Sequence, residues 1–454
     1  MRKKISIISA AAVIAIICLV APKFIATQYE TSLNGFVSKI NESPGYVVQL
    51  DMLETGWFGS TAKISLAFNY DEAGIDYAAE VEGFEAELLV TSQYGPLLFS
   101  DAGLIGLYAV NVQWLDADLR SVLEWDENTP FYELNLVQGI ITGMSFTDAI
   151  PAFVGIADEM SFSGYKGEGG WGSELSYEGR IDSFTATDAD GAIVTVEDVQ
   201  LNYYADAEIS SIAKVQVYDS DLKVEVAKVS AKDDFNLNDF LLYFGSDVDD
   251  SSNTFSVVYG MSVDELLTSE AALSDVSFEL VLANLNNQLF DNFQTLLDNA
   301  NESGQNALAA ENFLAFMNDN IDLFLETGPE LNLTKLQATV PEGTTKTTIN
   351  SRIGDVSGEM NVARLFSPFF WLSNAVVDAR IEMDELLAQR VGKEFVAIQT
   401  GADIDNPSVA QQVNAMLQGL IQQGLIKLAE QKYVSELRLE NGETTVNGVA
   451  IPLF

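Results

Sequence analysis

Residues 63–70 read Lys-Ile-Ser-Leu-Ala-Phe-Asn-Tyr, and every second side chain, from Ile64 to Tyr70, is apolar. In a β-strand, successive side chains point to opposite faces. This alternation therefore places the apolar residues on one face of a sheet and most of the polar ones on the other. The same pattern recurs further along the chain, at 84–90, 222–226, 276–282 and 377–384. It predicts an antiparallel sheet with one apolar face and one polar face.

Apolar residues at helical spacing interrupt the strand pattern in two regions. They predict helices over about 284–300, 306–325, Glu385 to Val396, and 407–429. The apolar stripe of the last helix is more typical of core packing than of a binding groove. The fold class is therefore expected to be mainly β with α (α+β). We expect an elongated antiparallel β body with helical insertions, preceded by one N-terminal transmembrane helix.

Composition shifts and turn signals divide the chain. We expect a cytoplasmic tail at 1–4, a transmembrane anchor at 5–22, an amphipathic helix at 23–42, a β-rich region at 43–283, a helical hairpin at 284–326, and a C-terminal α+β region at 327–454 that ends in a β-hairpin. Asn441-Gly442 between alternating runs is the signal for that hairpin.

Between about 100 and 160 the pattern is mixed. The glycine-rich stretch 163–174 has no phosphate-loop spacing and is interpreted as a loop or bulged hairpin.

The charge and the residue types exclude several functions. Asp and Glu number 67 against 23 Lys and Arg, for a net charge of -44, which argues against nucleic acid as a partner. The chain has no histidine and one cysteine, Cys18, so it forms no internal disulfide and lacks the Ser-His and Cys-His catalytic pairings. We therefore predict no catalytic residue, no cofactor and no metal ligand.

The N-terminus has the pattern of a membrane anchor. Arg2, Lys3 and Lys4 precede 17 uncharged residues, Ile5–Ala21, which span about 26 Å as a helix, close to the thickness of the hydrocarbon core. The basic cluster predicts a cytoplasmic N-terminus and a body that crosses the membrane. A cleaved signal peptide is the alternative, but Pro22 follows the small-residue site. Ile17 is too large for a lipoprotein signal at Cys18.

An amphipathic helix follows the predicted anchor. Its apolar residues recur at helical spacing: Tyr29, Leu33, Phe36, Val37 and Ile40.

Two acidic clusters invite comparison with calcium sites. Asp188, Asp190, Gly191 and Glu197 occupy the third, fifth, sixth and twelfth positions of a calcium loop, but Ala186 stands at the first position. An Asp-Gly hairpin turn explains this stretch better. The second cluster is interpreted as a solvated loop, since a calcium site would need further ligands from elsewhere: Asp247, Asp249 and Asp250.

Trp57 and Phe58 lie between two glycines. The pair is interpreted as a plug of the hydrophobic core rather than as a ligand platform.

Short motifs in this chain resemble the YdgA family of bacterial envelope proteins, the domain of unknown function 945. They are Glu54-Thr55-Gly56-Trp57-Phe58-Gly59-Ser60, Tyr94-Gly95-Pro96-Leu97, Asp378-Ala379-Arg380-Ile381, Glu440-Asn441-Gly442 and Val446-Asn447-Gly448. Tyr94 stands where the family has histidine. The resemblance marks Gly56, Trp57, Phe58, Gly95, Pro96, Asn441 and Gly442 as family positions of unknown role. It implies a single-pass protein of the bacterial inner membrane with its body in the periplasm.

Three functions are compatible with these features. The first is a non-enzymatic envelope scaffold or binding protein. The second is a lipid-handling β groove, because the entry Gly45-Tyr46-Val47-Val48 after an anchor and a helix is similar to AsmA-type envelope proteins. The third is a carboxylate-dependent glycan hydrolase. The expected partners are the membrane, through the N-terminal helix, and a lipid or an envelope protein; the oligomeric state stays open.

Overall fold

The architecture comes from a computed structural model. It describes residues 21–35, 37–38, 40–41, 46–68, 84–100, 103–115, 119–141, 143–156, 160–187, 191–207, 217–231, 235–303, 310–354, 356 and 360–451. The chain divides into two compact units, residues 1–208 and 209–454. Strands predominate in both, and their described pairings are antiparallel. This confirms the predicted fold class as a mainly β protein with helices.

The first unit is an antiparallel sheet with nine strands in a row. Their order is β1-β2-β3-β6-β8-β9-β12-β13-β14, and β13 also pairs with the short branch β11-β10-β7. The strands are β1 Tyr46–Thr55, β2 Gly59–Phe68, β3 Phe84–Tyr94, β4 Leu97–Ser100, β5 Gly103–Ile105, β6 Tyr108–Trp114, β7 Leu123–Glu124, β8 Glu133–Gln138, β9 Met144–Ile150, β10 Phe153–Gly155, β11 Met160–Phe162, β12 Tyr165–Trp171, β13 Leu175–Thr187 and β14 Ile193–Ala205.

The second unit is a meander. Its strands follow one another as β15-β16-β17-β18-β19-β20-β21-β23-β24-β25, with β22 also paired to β23. They are β15 Ser220–Ala231, β16 Phe235–Asp249, β17 Thr254–Thr268, β18 Ala272–Asn286, β19 Glu330–Val340, β20 Gly343–Ile353, β21 Ala375–Asp384, β22 Lys427–Ala429, β23 Lys432–Glu440, β24 Glu443–Val446 and β25 Val449–Ala450.

The N-terminal helix α1, residues 21–35, 37–38 and 40–41, covers one end of the row of strands in the first unit. Ala26, Tyr29 and Leu33 are buried on its inner side. They pack against the apolar face of the first strands, at Val48, Ala62, Ile64, Val90 and Tyr94. The predicted amphipathic helix is therefore present. Phe36 lies outside the described residues.

Helices of the second unit lie between strands of the meander. They are α2 Asn287–Ser303, α3 Ala310–Asp319, α4 Ile321–Glu326, α5 Val362–Leu365, α6 Pro368–Asn374, α7 Glu385–Thr400 and α8 Pro407–Gln422. Asn406 caps α8 by accepting a hydrogen bond from the Ser408 N–H, and Pro407 fits its first turn. The pattern over 407–429 predicted a longer helix, but residues Lys427–Ala429 form β22.

The glycine-rich stretch is part of a hairpin, in which residues 172–174 join β12 to β13; the hairpin interpretation is therefore confirmed and the loop interpretation is wrong. Tyr165–Trp171 forms β12, paired along its whole length with β9 and β13. Aromatic rings from the neighbouring strands fill the space above the glycines: a Cβ added at Gly169 would lie 2.5 Å from Phe146 Cζ. Glycine is favoured here because these rings lie against the backbone.

Among the residues that the structure describes, no helix combines the length and the apolar composition needed to cross a bilayer. The predicted anchor lies almost wholly in residues 1–20, outside the described part, together with Arg2, Lys3 and Lys4.

We expect Leu33→Ala to lower the free energy of unfolding of the first unit by about 2–4 kcal/mol, because it leaves a cavity under α1. Urea denaturation followed by amide hydrogen exchange of β1 to β3 measures the change. Ser32→Ala, at the exposed neighbouring position, is the matched control. Equal stability of the two variants would show that α1 contributes little to the first unit.

Candidate ligand-binding faces

Two of the family motifs meet at one end of the first unit. Gly56–Phe58 form the turn between β1 and β2, and the Tyr94 N–H donates a 2.8 Å hydrogen bond to the Phe58 carbonyl. Gly95 and Pro96 follow directly. The structure thus brings together five of the family positions that the sequence separates by about forty residues.

Gly95 is required by a close approach of two backbones. A Cβ at this position would lie 1.7 Å from the Gly106 carbonyl oxygen, far inside van der Waals contact. The Gly95 N–H donates to the Leu107 carbonyl at 2.7 Å, which keeps the two segments together. We therefore assign Gly95 a structural role.

Trp57 and Phe58 do not plug the core. They are 52% and 54% exposed, so the core interpretation is wrong. A two-residue tip bounded by glycines extends beyond the last paired residues of β1 and β2, Thr55 and Ser60, and therefore beyond the layer that α1 covers.

Asn441 and Gly442 belong to the second unit and form the turn between β23 and β24. Their φ angles of 53° and 78° are both positive, as a two-residue hairpin turn requires. Their role is also structural, and the hairpin signal is confirmed.

The second acidic cluster lies at the end of β16, which contains Asp247 and Asp249, and in the turn that begins at Asp250, rather than wholly in a loop. Asp188 and Asp190 lie outside the described residues, but Gly191 is followed by β14, in a connection between two paired strands. Asp249 accepts hydrogen bonds from the Ser251 N–H and hydroxyl, which lower the pKa of its carboxyl. In the part of the chain that the structure describes, no group of three or more Cys, Asp or Glu side chains could hold a metal ion.

The second unit carries a continuous apolar row. Residues directly opposite each other in antiparallel strands point to the same face. One such row crosses eight strands, and every member is apolar or aromatic: Leu222, Phe244, Tyr259, Leu280, Leu333, Ile349, Ala379 and Leu437. We call this row, with the apolar residues beside it, the apolar face of the second unit.

Helices cover the two ends of this face and leave its middle open. At one end Phe290 of α2 meets Phe255 at 5.8 Å. At the other end α7 and α8 pack on Met383 and Tyr433. None of the eight members of the row is buried, and Tyr259 and the neighbouring Leu331 are 42% and 50% exposed. Exposed apolar surface of this kind marks a binding site more often than a solvated surface.

The opposite face of the same strands is polar. Asp221, Asn332, Asn350, Asp378 and Arg438 lie on it. Here the alternation predicted from sequence separates the acidic side chains from the apolar face.

The first unit also has an apolar face beyond α1, and one carboxylate lies in it. Asp148 accepts hydrogen bonds from the Tyr132 hydroxyl at 3.2 Å and the Tyr177 hydroxyl at 2.8 Å. The Tyr165 hydroxyl contacts that of Tyr177. This cluster of one acid and three tyrosines escaped the sequence analysis, because its members come from four different strands or strand ends.

Burial controls the titration of the cluster. It raises the pKa of the Asp148 carboxyl, although the Tyr132 hydroxyl opposes the shift. Burial, followed by the charge of Asp148, raises the pKa of Tyr132 and Tyr165 to about 12. Tyr132 and Tyr165 therefore stay neutral donors at pH 7.

A family model described as "Bacterial protein of unknown function (DUF945)" matches residues 1–454. It is the family of unknown function that the short motifs indicated. No curated protein and no solved structure matches the chain.

We expect Gly95→Ala to lower the free energy of unfolding of the first unit by about 3 kcal/mol, because the new methyl group overlaps a backbone oxygen. Gly35→Ala in α1 is the control, since nothing lies within 4 Å of its Cβ. It should be neutral or stabilise by about 1 kcal/mol. Urea denaturation compares the two, and a neutral Gly95→Ala would disprove the close approach.

Asp148→Asn should raise the thermal unfolding temperature of the first unit at pH 7. Burial raises the pKa of Asp148 in the folded state above the unfolded-state pKa of about 3.9. The protonated carboxyl therefore contributes fully to stability below the unfolded-state pKa, and this contribution is lost as the pH rises through the folded-state pKa. The advantage of the variant should therefore shrink as the pH falls to about 4. Asp206→Asn, an exposed position, should change little; a variant that is less stable than wild type at pH 7 would contradict the burial argument.

Proposed function

Because the chain belongs to the DUF945 family of bacterial proteins, whose function is unknown, we propose its function from its geometry. It is a membrane-anchored, non-enzymatic binding protein whose second unit holds the acyl chain of a lipid on its apolar face. The open row of apolar side chains across eight strands carries this proposal.

The dimensions of the row suit an acyl chain. Eight strands at a spacing of about 4.8 Å make a row about 34 Å long. Half of a bilayer core, which one acyl chain spans, is about 15 Å. The row accommodates such a chain, or two placed end to end, across the strands.

The chemistry of the row favours an acyl chain over a peptide. A bound peptide needs backbone donors and acceptors at a sheet edge, whereas the strands from β16 to β21 are paired on both sides. The row has no charged member and a single hydroxyl, that of Tyr259. An occupant is therefore held by hydrophobic and van der Waals contacts alone.

The placement in the cell belongs to the proposal. Arg2, Lys3 and Lys4 before the apolar run Ile5–Ala21 support a cytoplasmic N-terminus, a single span of the inner membrane and a periplasmic body. A periplasmic protein that holds acyl chains shields them from water between membranes or enzymes. This refines the envelope-binding hypothesis by naming the ligand class.

A glycan hydrolase has less support. Glu168 and Glu178 stand opposite each other and line a depression of about 620 Å³. Both side chains are exposed on the surface of a sheet. An enzyme of this class needs a cleft that surrounds the scissile bond and holds its two acids in different environments.

Photo-crosslinking in intact cells tests acyl binding with the full chain. A photoreactive phenylalanine analogue replaces Tyr259 on the apolar face, or Lys335 on the polar face as the matched control. We expect a lipid adduct, identified by mass spectrometry of the purified chain, at Tyr259 and not at Lys335. Adducts to protein only, or equal lipid adducts at both positions, would sink the proposal.

A charge on the apolar face should abolish the adduct. Leu336→Glu places a carboxylate beside the row, and its desolvation by an acyl chain costs several kcal/mol. We expect the adduct at Tyr259 to fall by about tenfold or more, since each 1.4 kcal/mol is a factor of ten. Gln337→Glu, the neighbouring residue on the polar face, is the control and should leave the adduct unchanged.

A further inference from the structure

We propose that one end of the first unit rests directly on the lipid bilayer through three neighbouring turns. We call this end the turn surface. It is formed by two exposed apolar residues from each turn: Trp57, Phe58, Leu97, Ile105, Ile140 and Ile141. The proposal rests on the proposed anchor but not on acyl binding by the second unit.

The three turns are neighbours at the same end of the sheet. Thr55 pairs with Ser60, Tyr94 with Tyr108, and Gln138 with Met144, so each turn closes a pair of strands at this end. Backbone hydrogen bonds join the turns: the Leu107 N–H donates to the Gln138 carbonyl at 2.7 Å. The exposed apolar residues therefore form one patch.

The described part of the turn surface lacks charge in a highly charged protein; Asp101, between β4 and β5 in the sequence, lies outside the described residues. Among the described residues of the three turns, 55–60, 94–100, 103–108, 138–141 and 143–144, no side chain is charged. The connection at the opposite end, residues 119–132, contains Arg120, Glu124, Asp126 and Glu127. An apolar surface without acids can contact a bilayer without the free-energy cost of desolvating carboxylates.

The N-terminal helix begins at this same end. Tyr29 packs at a tilt against Tyr94 and Tyr108, with ring centroids 5.7 and 5.9 Å away, beside the turns. Asn41 instead holds the backbone of Val48, at the other end of β1, by hydrogen bonds of 2.6 and 2.8 Å. The helix therefore runs away from the turn surface.

The apolar run Ile5–Ala21 joins the body at the level of the turns. Pro22 precedes Tyr29 by seven residues, which corresponds to a helical rise of about 10 Å. Since Tyr29 already lies beside the turns, Pro22 lies past the ends of the strands. Pro22 is buried, and Ile25 and Ala26 belong to the hydrophobic cluster of the first unit, so α1 is packed on the body near its first turn. If the run spans the membrane, the bilayer surface lies at the turn surface and nowhere else on the first unit.

The side chains suit the interface between lipid and water. Tryptophan prefers the headgroup region, and isoleucine and phenylalanine insert toward the acyl boundary. The described residues of the three turns contain no basic side chain, and Lys23 in α1 lies near this end. The contact is therefore mainly hydrophobic, and it should depend little on salt or on the charge of the lipid.

Lipid quenching of a fluorophore tests the contact in the full chain. Cys18→Ser removes the native cysteine, and Ile141→Cys is labelled with an environment-sensitive dye. Ile156→Cys, also an exposed isoleucine, beside β10 and β7 at the other end of the sheet, is the matched control. Both chains are reconstituted in phosphatidylethanolamine–phosphatidylcholine vesicles with or without bromine on the acyl chains.

Side chains at an interface lie about 5–10 Å into the lipid, so the label at Ile141 should lose about half of its emission to brominated lipid. The label at Ile156 should lose none, and high salt should not change either result. A chain that floats with the vesicles but is not quenched at Ile141 overturns this proposal alone. A chain that does not float with the vesicles overturns the anchor as well. Ile105→Cys repeats the test on a second turn.

Discussion

Antiparallel register is the constraint on which the structure depends. Residues opposite each other in neighbouring strands point to the same face of the sheet. When each strand alternates apolar and polar residues in the same register, one face of the whole sheet becomes apolar and the other polar. In the second unit this sorting places Leu280 and Leu333 in one row and Glu279 and Lys335 in the other. A slip of one residue in β18, for example, would move Glu279 into the apolar row and Leu280 onto the polar face. The bulges between Glu279 and Leu280 and between Leu333 and Leu336 keep the two faces separate where the strand lengths do not match.

The apolar face of such a sheet has to be shielded from water, and the helices of this protein pack on only part of these faces. In the first unit α1 buries the face of β1, β2, β3 and β6, whereas Phe146 and Tyr177, further along the row, are stacked on each other and only half-buried. In the second unit the helices follow β18, β20 and β21, and those after β18 and β21 cover the ends of the strands. Leaving apolar surface in water is unfavourable by about 25 cal/mol per Å². The open faces are thus costs that a bound ligand would offset, and this is the physical basis of the functional proposal.

The alternation made much of the fold predictable, and its limits explain what was missed. Strands such as 63–68 and 276–282 were visible because their side chains alternate locally, and α2, α7 and α8 because their apolar residues repeat at helical spacing. Strand β12 was hidden because its glycines are matched by rings on other strands, Phe146 and Tyr177, which no local window contains. The short strands between 100 and 160 were hidden for a related reason, since three to seven residues carry too little periodicity.

The apolar row and the Asp148 cluster are assembled from several strands each, so they emerge only once the register is known. Trp57 and Phe58 were misplaced because hydrophobicity alone does not distinguish a core plug from an exposed tip.

The charge distribution links these observations. With 67 acidic and 23 basic side chains, repulsion among carboxylates is unavoidable, and the few ion pairs that form, such as Arg380 with Glu436 or Arg390 with Glu394, are exposed and contribute little each. Apart from Asp148, which three tyrosines surround in the apolar face of the first unit, the acids discussed above lie where water solvates them, on the polar face of a sheet or in connecting segments. The turn surface of the first unit and the apolar row of the second carry none. A surface that stays uncharged in so acidic a chain repels neither a hydrocarbon chain nor a bilayer, whereas acids at the same positions would have to be desolvated on contact. Solubility and lipid contact are thus compatible in one protein, because the register and the turns keep the acids apart from the surfaces that lipid would touch.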